Sequence, residues 1–398
     1  MLHDDDHRVL GHRLELFHLQ EEAAGSVFWH PRGLQLVRAL EDHVRRIVHR
    51  QGYREVRSPQ VLVQAIWERS GHWSVFRQGM LAVEGEGRAL KPVSCPGHME
   101  LVRRMAPAWS QLPLRIAEFG LVHRDEPSGA LQGLFRLRQF VQDDGHVFCG
   151  EDQVAEELLL FVRSLRALYA ALGFDEVRVL FSGRPPNRLG DAALWDRAEG
   201  VLAAAAQEAD LQWSPQPGEG AFYGPKLEFA LRDRLGRSWQ CGTIQVDLVL
   251  PGRFDLSFHD GAGARHRPVV LHRALLGSLE RFLGILLEHH RGRLPAWLAP
   301  EQVVVASLEN GDRHHAARAM RLLEDAGLRA RLDDRDAALS RKVADAHRLG
   351  VPYLVAAGPR DAAKGSVRVR EPSGGQRDLS LDSLGPELAR LCAPPAVE

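Results

Sequence analysis

The chain has 398 residues, of which 44% are hydrophobic and 26% are charged, and its formal net charge is −1. This length allows two or three domains with a large core, and the composition is that of an ordinary soluble globular protein. The near-zero net charge excludes a global positive field, so any contact with nucleic acid must depend on local basic patches. No apolar run approaches the ~18 residues of a membrane span.

The cysteines indicate a reducing compartment. They stand at positions 95, 149, 241 and 392 and show no paired spacing, which disfavours a disulfide framework. The acidic and polar start of the chain lacks the apolar region of a signal peptide. We therefore expect a cytoplasmic protein with no membrane partner.

Apolar periodicity and turn residues predict the elements of the first three quarters of the chain. The first elements are helices over 7–22 and 34–51, the second of which ends at Gly52, and a strand over 55–59. Further strands are expected at 114–123, 133–142, 226–232 and 238–250. Further helices are expected at 152–172, 193–209 and 270–289. Because turns rather than helices separate most of the strands, the sheet should be mainly antiparallel.

The pattern changes after a linker rich in proline and arginine at 291–300. The elements expected beyond it are a strand at 303–306, a helix at 312–327, a strand at 328–332, a helix at 337–349 and a strand at 353–358. This βαβαβ alternation predicts a separate α/β domain of about 100 residues. We therefore place the two domains at 1–298 and 299–398.

Three segments carry the most specific information: 117–129 (AEFGLVHRDEPSG), 220–226 (GAFYGPK) and 240–247 (QCGTIQVD). Together they resemble threonyl-tRNA synthetase, a class II aminoacyl-tRNA synthetase, and the resemblance extends from about His7 to Leu391. It implies an α+β fold, in which the class II antiparallel sheet flanked by helices precedes a smaller α/β anticodon-binding domain. It also implies a homodimer formed through helix 34–51, although packing of that helix on its own core explains its periodicity equally well.

The resemblance implies one zinc ion held by Cys95 in 91–98 (KPVSCPGH), His146 in 142–146 (QDDGH) and His272 in 269–273 (VVLHR). Three protein ligands leave a coordination position open, as in catalytic zinc sites. Without the family context, core histidines with ordinary hydrogen bonds would be the favoured interpretation of His146 and His272. In the family, the amine and hydroxyl of threonine both coordinate the metal, so valine is rejected because it lacks the hydroxyl.

The same resemblance assigns the residues around threonine. It implies that Asp144 holds the substrate hydroxyl and that Gln142 and Gln245 line the pocket. Tyr223 matches a tyrosine near the substrate amine. Lys226 matches a lysine near the substrate carboxylate.

The ATP site is assigned in the same way. Arg124 matches the arginine that binds the carboxylate and the α-phosphate, for which a planar guanidinium is well suited. Glu126 matches the adenine contact, Arg136 a second arginine on the phosphate side, and Arg281 the arginine that covers the adenine ring. Gln240 lines the same pocket. Mg²⁺ should accompany ATP. Taken singly, these arginines would more often be solvated or paired with acids.

The resemblance also implies contacts with tRNA. His72 matches a histidine near the terminal ribose and is a candidate proton relay, whereas Arg335, Asp336 and Arg370 match anticodon-contacting positions. The segment after Pro300 has nearly balanced charge. Because phosphate neutralisation dominates affinity for nucleic acid, we expect weaker RNA binding than in the family, unless these changes are harmless surface differences.

Several positions depart from the family pattern. Val93 and Ser94 stand where the family has Met and Asn, and Gln139 and Gly145 stand where it has Gly and Ala. The family also carries an N-terminal domain and an editing domain before the segment at 7–22. Because one methyl group supplies only about 1–3 kcal/mol of discrimination, we expect seryl products unless a separate editing factor clears them.

Three functions are compatible with these patterns. The leading hypothesis is a threonine–tRNA ligase that activates L-threonine with ATP and transfers it to tRNA(Thr). The alternative is a paralogue that adenylates threonine, or a related hydroxy amino acid, for a non-standard acceptor in a biosynthetic or resistance role. A non-catalytic module is the third, and the retained arginines and zinc ligands argue against it.

Overall fold

The structure is a computed structural model that describes residues 3–308 and 313–397. Within these residues the α-helices are α1 His7–Arg13, α2 Pro31–Arg50, α3 Gln64–Ser70, α4 His72–Val75, α5 Cys95–Met105, α6 Val154–Ala171, α7 Ala192–Glu208, α8 Leu250–Arg253, α9 Leu279–His289, α10 Arg313–Asp325, α11 Leu339–Arg348, α12 Pro359–Lys364 and α13 Leu381–Leu391. The β-strands are β1 Phe17–His18, β2 Phe28–Trp29, β3 Arg54–Glu55, β4 Val61–Val63, β5 Ala82–Val83, β6 Arg88–Leu90, β7 Leu114–His123, β8 Gln139–Cys149, β9 Arg178–Ser182, β10 Ser214–Gln216, β11 Lys226–Arg232, β12 Ser238–Asp247, β13 Phe258–His259, β14 Arg265–His266, β15 Val269–Ala274, β16 Val303–Ser307, β17 Ala330–Asp333, β18 Tyr353–Ala357, β19 Ser366–Arg370 and β20 Gln376–Ser380.

A large, mainly antiparallel sheet organises the first part of the chain. Its strand order is β10-β9-β11-β12-β15-β8-β7-β3, and the parallel pairs are the two at its edges, β10 with β9 and β3 with β7. This confirms the predicted α+β class and the antiparallel sheet. The strands predicted at 114–123 and 226–232 have the predicted bounds.

Helix α6 covers one face of this sheet. Phe161 of α6 contacts Phe229 of β11, with ring centroids 5.7 Å apart, and Leu165 lies so close to Gly242 of β12 that a Cβ on that glycine would be 2.4 Å away. The hydroxyl of Tyr169 donates to the carbonyl of Leu275 at 2.8 Å. A glycine in the strand therefore allows the close approach of helix and sheet.

A second sheet has the order β17-β16-β18-β19-β20, with β16 parallel to both β17 and β18. Its β-branched strand residues, such as Val303, Val305 and Val355, pack against Leu323 of α10 and Leu388 of α13. The predicted βαβαβ order is confirmed, as β16-α10-β17-α11-β18. The predicted start of the first helix, residue 312, lies outside the described residues.

Four of the predicted elements are wrong in part. The helix expected over 7–22 ends at Arg13, because Glu15 adopts a φ of 58° and turns the chain, after which Phe17 pairs with Trp29 in β1 and β2. The strand expected at 133–142 is instead β8, Gln139–Cys149.

The helix expected over 270–289 is a strand followed by a helix. β15 runs through Val269–Ala274, and α9 begins at Leu279. Gly277, with a φ of 72°, separates them. A shorter correction concerns 55–59, where the strand is confined to Arg54–Glu55.

The chain divides by internal contacts into two compact units that do not follow chain order. One comprises the described residues of 1–18, 27–43 and 286–396, and the other comprises 19–26, 44–285 and 397. In the first unit, Arg32 pairs with Glu301 at 2.7 Å and donates to the carbonyl of Leu349 at 2.8 Å. The predicted domain boundary between residues 298 and 299 stays a prediction. In the described parts of the chain, every helix is too short or too polar to cross a bilayer.

Candidate metal centre and adjoining ATP site

The register of the large sheet aligns four of the predicted site residues. Lys226 lies opposite Gln245, Gln245 opposite His272, and His272 opposite His146. Directly paired residues of neighbouring strands project from the same face of a sheet. The four side chains therefore form a row across β11, β12, β15 and β8.

Strand β8 contributes three side chains to this face. Gln142, Asp144 and His146 are spaced by two residues, and alternate residues of a strand share a face. The three predicted residues therefore follow the strand at right angles to the row.

The third predicted metal ligand comes from a helix. Cys95 is the first residue of α5, and Pro96 occupies its first turn, where a proline without an N–H is well tolerated. The ligand atoms of Cys95, His146 and His272 all lie within 4.8 Å of one another. We call these three residues the metal triad.

The donor set of the metal triad fits zinc. One thiolate and two imidazoles are zinc ligands, and three protein ligands are typical of catalytic sites. His146 Nε2 and His272 Nδ1 are 2.9 Å apart, slightly closer than the roughly 3.3 Å expected of two nitrogens on one tetrahedral zinc. A small outward movement of either ring would admit the ion.

A carboxylate fixes the orientation of His272. Its Nε2 lies 2.8 Å from Asp247 Oδ2, so its Nδ1 faces the other two members of the metal triad. Metal-bound histidines commonly donate their other N–H to a carboxylate in this way. Burial disfavours the charged ring, but Cys95 and Asp247 outweigh it and raise the pKa of His272 to about 10.

His146 has the opposite electrostatic environment. Burial lowers the pKa of its ring well below the ordinary value, and the neighbouring His272 and His98 lower it further. A neutral imidazole is the form that binds a metal.

The residues predicted to bind threonine present polar atoms with unused hydrogen-bonding capacity. Gln142 Oε1, Asp144 Oδ2 and Gln245 Oε1 are buried and have no hydrogen-bond partner among the described residues. Most buried polar atoms do have a partner, so three exceptions in one site indicate a polar ligand. Tyr223 closes the same pocket, with its ring centroid 4.9 Å from that of His272.

Two partly buried arginines lie at the predicted ATP site. Arg124 Nε donates to the carbonyl of Pro92 at 3.2 Å, and its guanidinium lies over Phe140. Arg281 donates from Nε to the carbonyl of Phe135 at 2.9 Å and from Nη1 to that of Gln240 at 3.1 Å. Burial lowers the pKa of Arg124, and the positive charge of Arg281 lowers it further. Two guanidinium groups close to each other are suited to bind a polyanion.

The remaining residues of the predicted ATP and threonine sites are paired with one another or with neighbours. Glu126 Oε2 accepts from Arg136 Nε at 2.8 Å, so the predicted adenine and phosphate contacts form an ion pair. Lys226 Nζ lies 2.8 Å from Glu228 Oε1. Binding of substrate would have to compete with these two pairs.

His72 is buried and neutral. Its Nδ1 lies 2.9 Å from Ser70 Oγ, and its ring centroid is 6.3 Å from that of Tyr223. Burial, together with the charges of His272 and Arg124, lowers the pKa of His72 to about 3. The ring is therefore unprotonated at neutral pH and is a weak base.

Comparison with known proteins decides the family. The model of the tRNA synthetase class II core domain (G, H, P, S and T) matches residues 82–290, and that of an anticodon binding domain matches 302–391. A threonine–tRNA ligase from Gluconacetobacter diazotrophicus is 50% identical over 395 residues, which cover 98% of this chain. The solved RNA binding domain of threonyl-tRNA synthetase from Cryptosporidium parvum is 37% identical with a TM-score of 0.94, and the match covers 99% of this chain and 100% of that one.

The chain belongs to the threonyl-tRNA synthetase family. It spans 62% of the length of the curated relative from Gluconacetobacter diazotrophicus and of a second one from Gluconobacter oxydans, which is 47% identical.

This member of the threonyl-tRNA synthetase family has its predicted tRNA-contacting positions in the second sheet, β17-β16-β18-β19-β20, and in the connections between its strands. Arg335 Nη2 pairs with Asp333 at 2.7 Å and with Asp345 at 2.9 Å. Asp336 is exposed in the same loop. Arg370 ends β19 and lines a cavity of about 610 Å³ together with Glu371.

Sequence reasoning missed a buried layer behind the metal triad. His98, Glu118, Lys91 and Ser58 are all at most 3% exposed and are linked by hydrogen bonds. A signal for His98 was available, because it follows Cys95 by three residues on a helix and therefore shares its face. Ser58 and Glu118 gave none, since they are 60 residues apart.

Proposed function

We propose that this chain is a threonine–tRNA ligase, which activates L-threonine with ATP and transfers the threonyl group to tRNA(Thr). The observation that carries the proposal is the convergence of the metal triad with the unpartnered buried atoms of Gln142, Asp144 and Gln245. Curated relatives at 47–50% identity are named threonine–tRNA ligase.

In the activation step the threonine carboxylate attacks the α-phosphorus of ATP, and pyrophosphate leaves; Mg²⁺ would neutralise part of the phosphate charge. Charge accumulates on the oxygens of the reacting phosphate in such a transition state. Arg124 and Arg281 supply fixed positive charge at a partly buried site, where it acts more strongly than in water. Because both guanidiniums are already held by carbonyls, little reorganisation is required when ATP binds.

A zinc ion held by the metal triad would keep coordination positions open, at which it would take both the amine and the hydroxyl of threonine. Asp144 accepts a hydrogen bond from the substrate hydroxyl through its unpartnered Oδ2, and the two glutamine oxygens accept from the amine. Valine leaves these buried groups unpaired, which costs far more than the loss of an apolar contact. The pocket thus selects a β-hydroxy amino acid.

In the transfer step a ribose hydroxyl of the tRNA attacks the threonyl carbonyl, and AMP leaves. The neutral ring of His72 acts as a proton relay for the hydroxyl: its low pKa makes it a weak base, so it passes the proton on and does not retain it. A homodimer formed through α2, and a separate factor that hydrolyses seryl products, complete the proposal.

The pairing of Arg335 favours a second candidate function. With its charge balanced by Asp333 and Asp345, this arginine contributes less to RNA affinity than a free cation would. A paralogue that adenylates threonine or a related hydroxy amino acid for another acceptor would tolerate this change. Charging of tRNA(Thr) at a normal rate would exclude it.

Threonine-dependent exchange of pyrophosphate into ATP tests the first step. We expect wild-type exchange to depend on bound zinc, and Cys95→Ala to lose both the metal, by elemental analysis, and the exchange, because a thiolate ligand is removed. Cys149→Ala is the matched control, since Cys149 is also buried but lies outside the metal triad. Full zinc occupancy in Cys95→Ala would contradict the site, and absence of exchange in the zinc-loaded wild type would indicate a non-catalytic module.

A further inference from the structure

A network of buried polar side chains lies directly behind the metal triad. His98 Nδ1 is 2.7 Å from His146 Nδ1, and His98 Nε2 is 3.0 Å from Glu118 Oε2. Lys91 Nζ donates to Glu118 Oε1 at 2.8 Å, and Ser58 Oγ donates to Glu118 Oε2 at 2.7 Å. We call His98, Glu118, Lys91 and Ser58 the buried network.

The hydrogen-bond directions in this network follow from one requirement. If His146 offers Nε2 to a metal, a neutral ring must carry its single proton on Nδ1. His98 Nδ1 then has to accept a hydrogen bond from the Nδ1–H of His146, because two N–H groups cannot face each other at 2.7 Å. The proton of His98 is consequently on Nε2, where the Glu118 carboxylate accepts it.

We propose that His98 and Glu118 are positioning residues, which hold His146 in the tautomer and orientation that direct its Nε2 to the metal triad. The inference rests on the proposed function, since it assumes that the triad binds zinc. His272 is held by Asp247 directly, whereas His146 is held by a carboxylate through an intervening histidine. The two metal-binding rings are therefore anchored by different routes.

The remaining members of the buried network keep Glu118 able to accept. Lys91 is 1% exposed and places a positive charge next to the carboxylate, and Ser58 donates to it from both its backbone N–H and its hydroxyl. A buried carboxylate requires such partners to remain ionised. An ionised Glu118 cannot donate, so it fixes the direction of the whole chain of bonds.

Substitution of His98 tests the proposal on zinc affinity rather than on catalysis. His98→Leu removes the acceptor, whereas His98→Asn keeps an amide oxygen that can accept from His146 Nδ1. We expect zinc affinity, measured by chelator competition, to fall 10–100-fold in His98→Leu and clearly less in His98→Asn. The absorption bands of the Co²⁺-substituted protein should shift in His98→Leu.

The control is His315→Leu. His315 Nε2 donates to the carbonyl of Ser366 at 2.8 Å, so the same substitution also removes a hydrogen-bonded histidine, but this one lies in the other compact unit and outside the metal-binding clusters of the described residues. We expect His315→Leu to bind zinc with wild-type affinity. A purely structural role for His98 would leave the Co²⁺ spectrum of His98→Leu unchanged once the protein is folded.

Two results would overturn the proposal. One is a folded His98→Leu variant that binds zinc within threefold of wild type and has the wild-type Co²⁺ spectrum. The other needs no variant: neutron diffraction of the zinc-loaded wild type should show deuterium on His98 Nε2 and His146 Nδ1, and deuterium on His98 Nδ1 would refute the assigned direction. A wild-type chain that binds no zinc would instead refute the metal site of the proposed function, and this inference with it.

Discussion

Glu118 keeps its charge inside the protein because three donors converge on it. Burial by itself would raise the pKa of this carboxyl, but hydrogen bonds from His98, Lys91 and Ser58 outweigh that effect and lower the pKa to about 2. A carboxyl whose pKa is lower in the folded than in the unfolded chain stabilises the fold above the unfolded value. That contribution is lost as the pH falls towards the folded value.

The acid sensitivity of the protein should therefore depend on Glu118. With an unfolded pKa of 4.5 and a folded pKa of about 2, the linkage relation gives a loss of about 2 kcal/mol between pH 6 and pH 3. We expect the wild-type free energy of unfolding, from urea titrations with a chelator present, to fall by about that much more than that of Glu118→Gln.

The Glu118→Gln variant should also be less stable at every pH, because it leaves Lys91 buried without its carboxylate. Glu100→Gln is the control, since Glu100 pairs with Arg69 and Arg103 at a partly exposed site. Identical pH dependence in wild type and Glu118→Gln would show that this carboxyl is not ionised in the fold.

At the scale of elements, the contact between β8 and β15 depends on a glycine. A Cβ on Gly145 would lie 2.5 Å from Arg273 Nε and 2.8 Å from Arg273 Cζ. Arg273 cannot move away easily, because its guanidinium stacks on Tyr53 with 4.4 Å to the ring centroid and lies 3.7 Å from Asp143. The glycine that departs from the family pattern thus has a structural reason in this chain.

Gly145→Ala should accordingly destabilise the sheet next to His146. We expect a loss of about 1–3 kcal/mol in the free energy of unfolding, the usual cost of overpacking, together with weaker zinc retention. Gly200→Ala is the matched control: Gly200 lies in α7 with open space around it, and alanine in a helix should add about 1 kcal/mol. A Gly145→Ala variant as stable as wild type would show that Arg273 moves aside freely.

The pattern of apolar and turn residues was sufficient to predict the bounds of those elements whose periodicity is unbroken and whose ends carry turn residues. β7 follows Pro113 and β11 follows Pro225, and both have the predicted bounds. The helix predicted over 270–289 failed because Val269, Val270 and Leu271 continue into an apolar run without a clear period. Gly277, whose positive φ ends the connection, was the available warning.

The family resemblance predicted the residues that line the candidate site. It did not predict the residues that lie behind them. His146 and His272 are brought together by cross-strand pairing, which no local pattern specifies. The buried network is harder to predict, because its four members meet only when β7, α5, the segment before β4 and the residue after β6 are packed together. Such contacts follow from the tertiary structure and not from spacing in the sequence.

For the whole molecule, the identity of the proposed product depends on which amino acids a zinc ion on the metal triad would exclude. Valine should be activated at least 10⁴-fold less efficiently than threonine, because it leaves buried polar groups unpaired, whereas serine should be only about 10–200-fold worse. Pyrophosphate exchange with each amino acid at equal zinc occupancy measures both ratios. Serine excluded as strongly as valine would contradict the proposed role of the metal triad.

The two compact units should also separate in their effects on catalysis. Arg370→Ala should weaken charging of tRNA(Thr) by about 1–3 kcal/mol in kcat/KM, whereas Arg335→Ala should have a smaller effect because Asp333 and Asp345 already balance its charge. Threonine-dependent pyrophosphate exchange, which needs no tRNA, should be unchanged in both variants. Equal losses of charging in the two would show that Arg335 leaves its carboxylates to reach the RNA.

The row of paired residues across β11, β12, β15 and β8 has a consequence for biosynthesis. His146 and His272 are 126 residues apart in the chain, and His272 is the last donor to be synthesised. A nascent polypeptide that stops before β15 would hold at most a thiolate and one imidazole from this cluster, too few for tight capture. The ion would therefore bind only after β15 has joined the sheet. The absorption of bound Co²⁺ then measures the rate of that step during refolding.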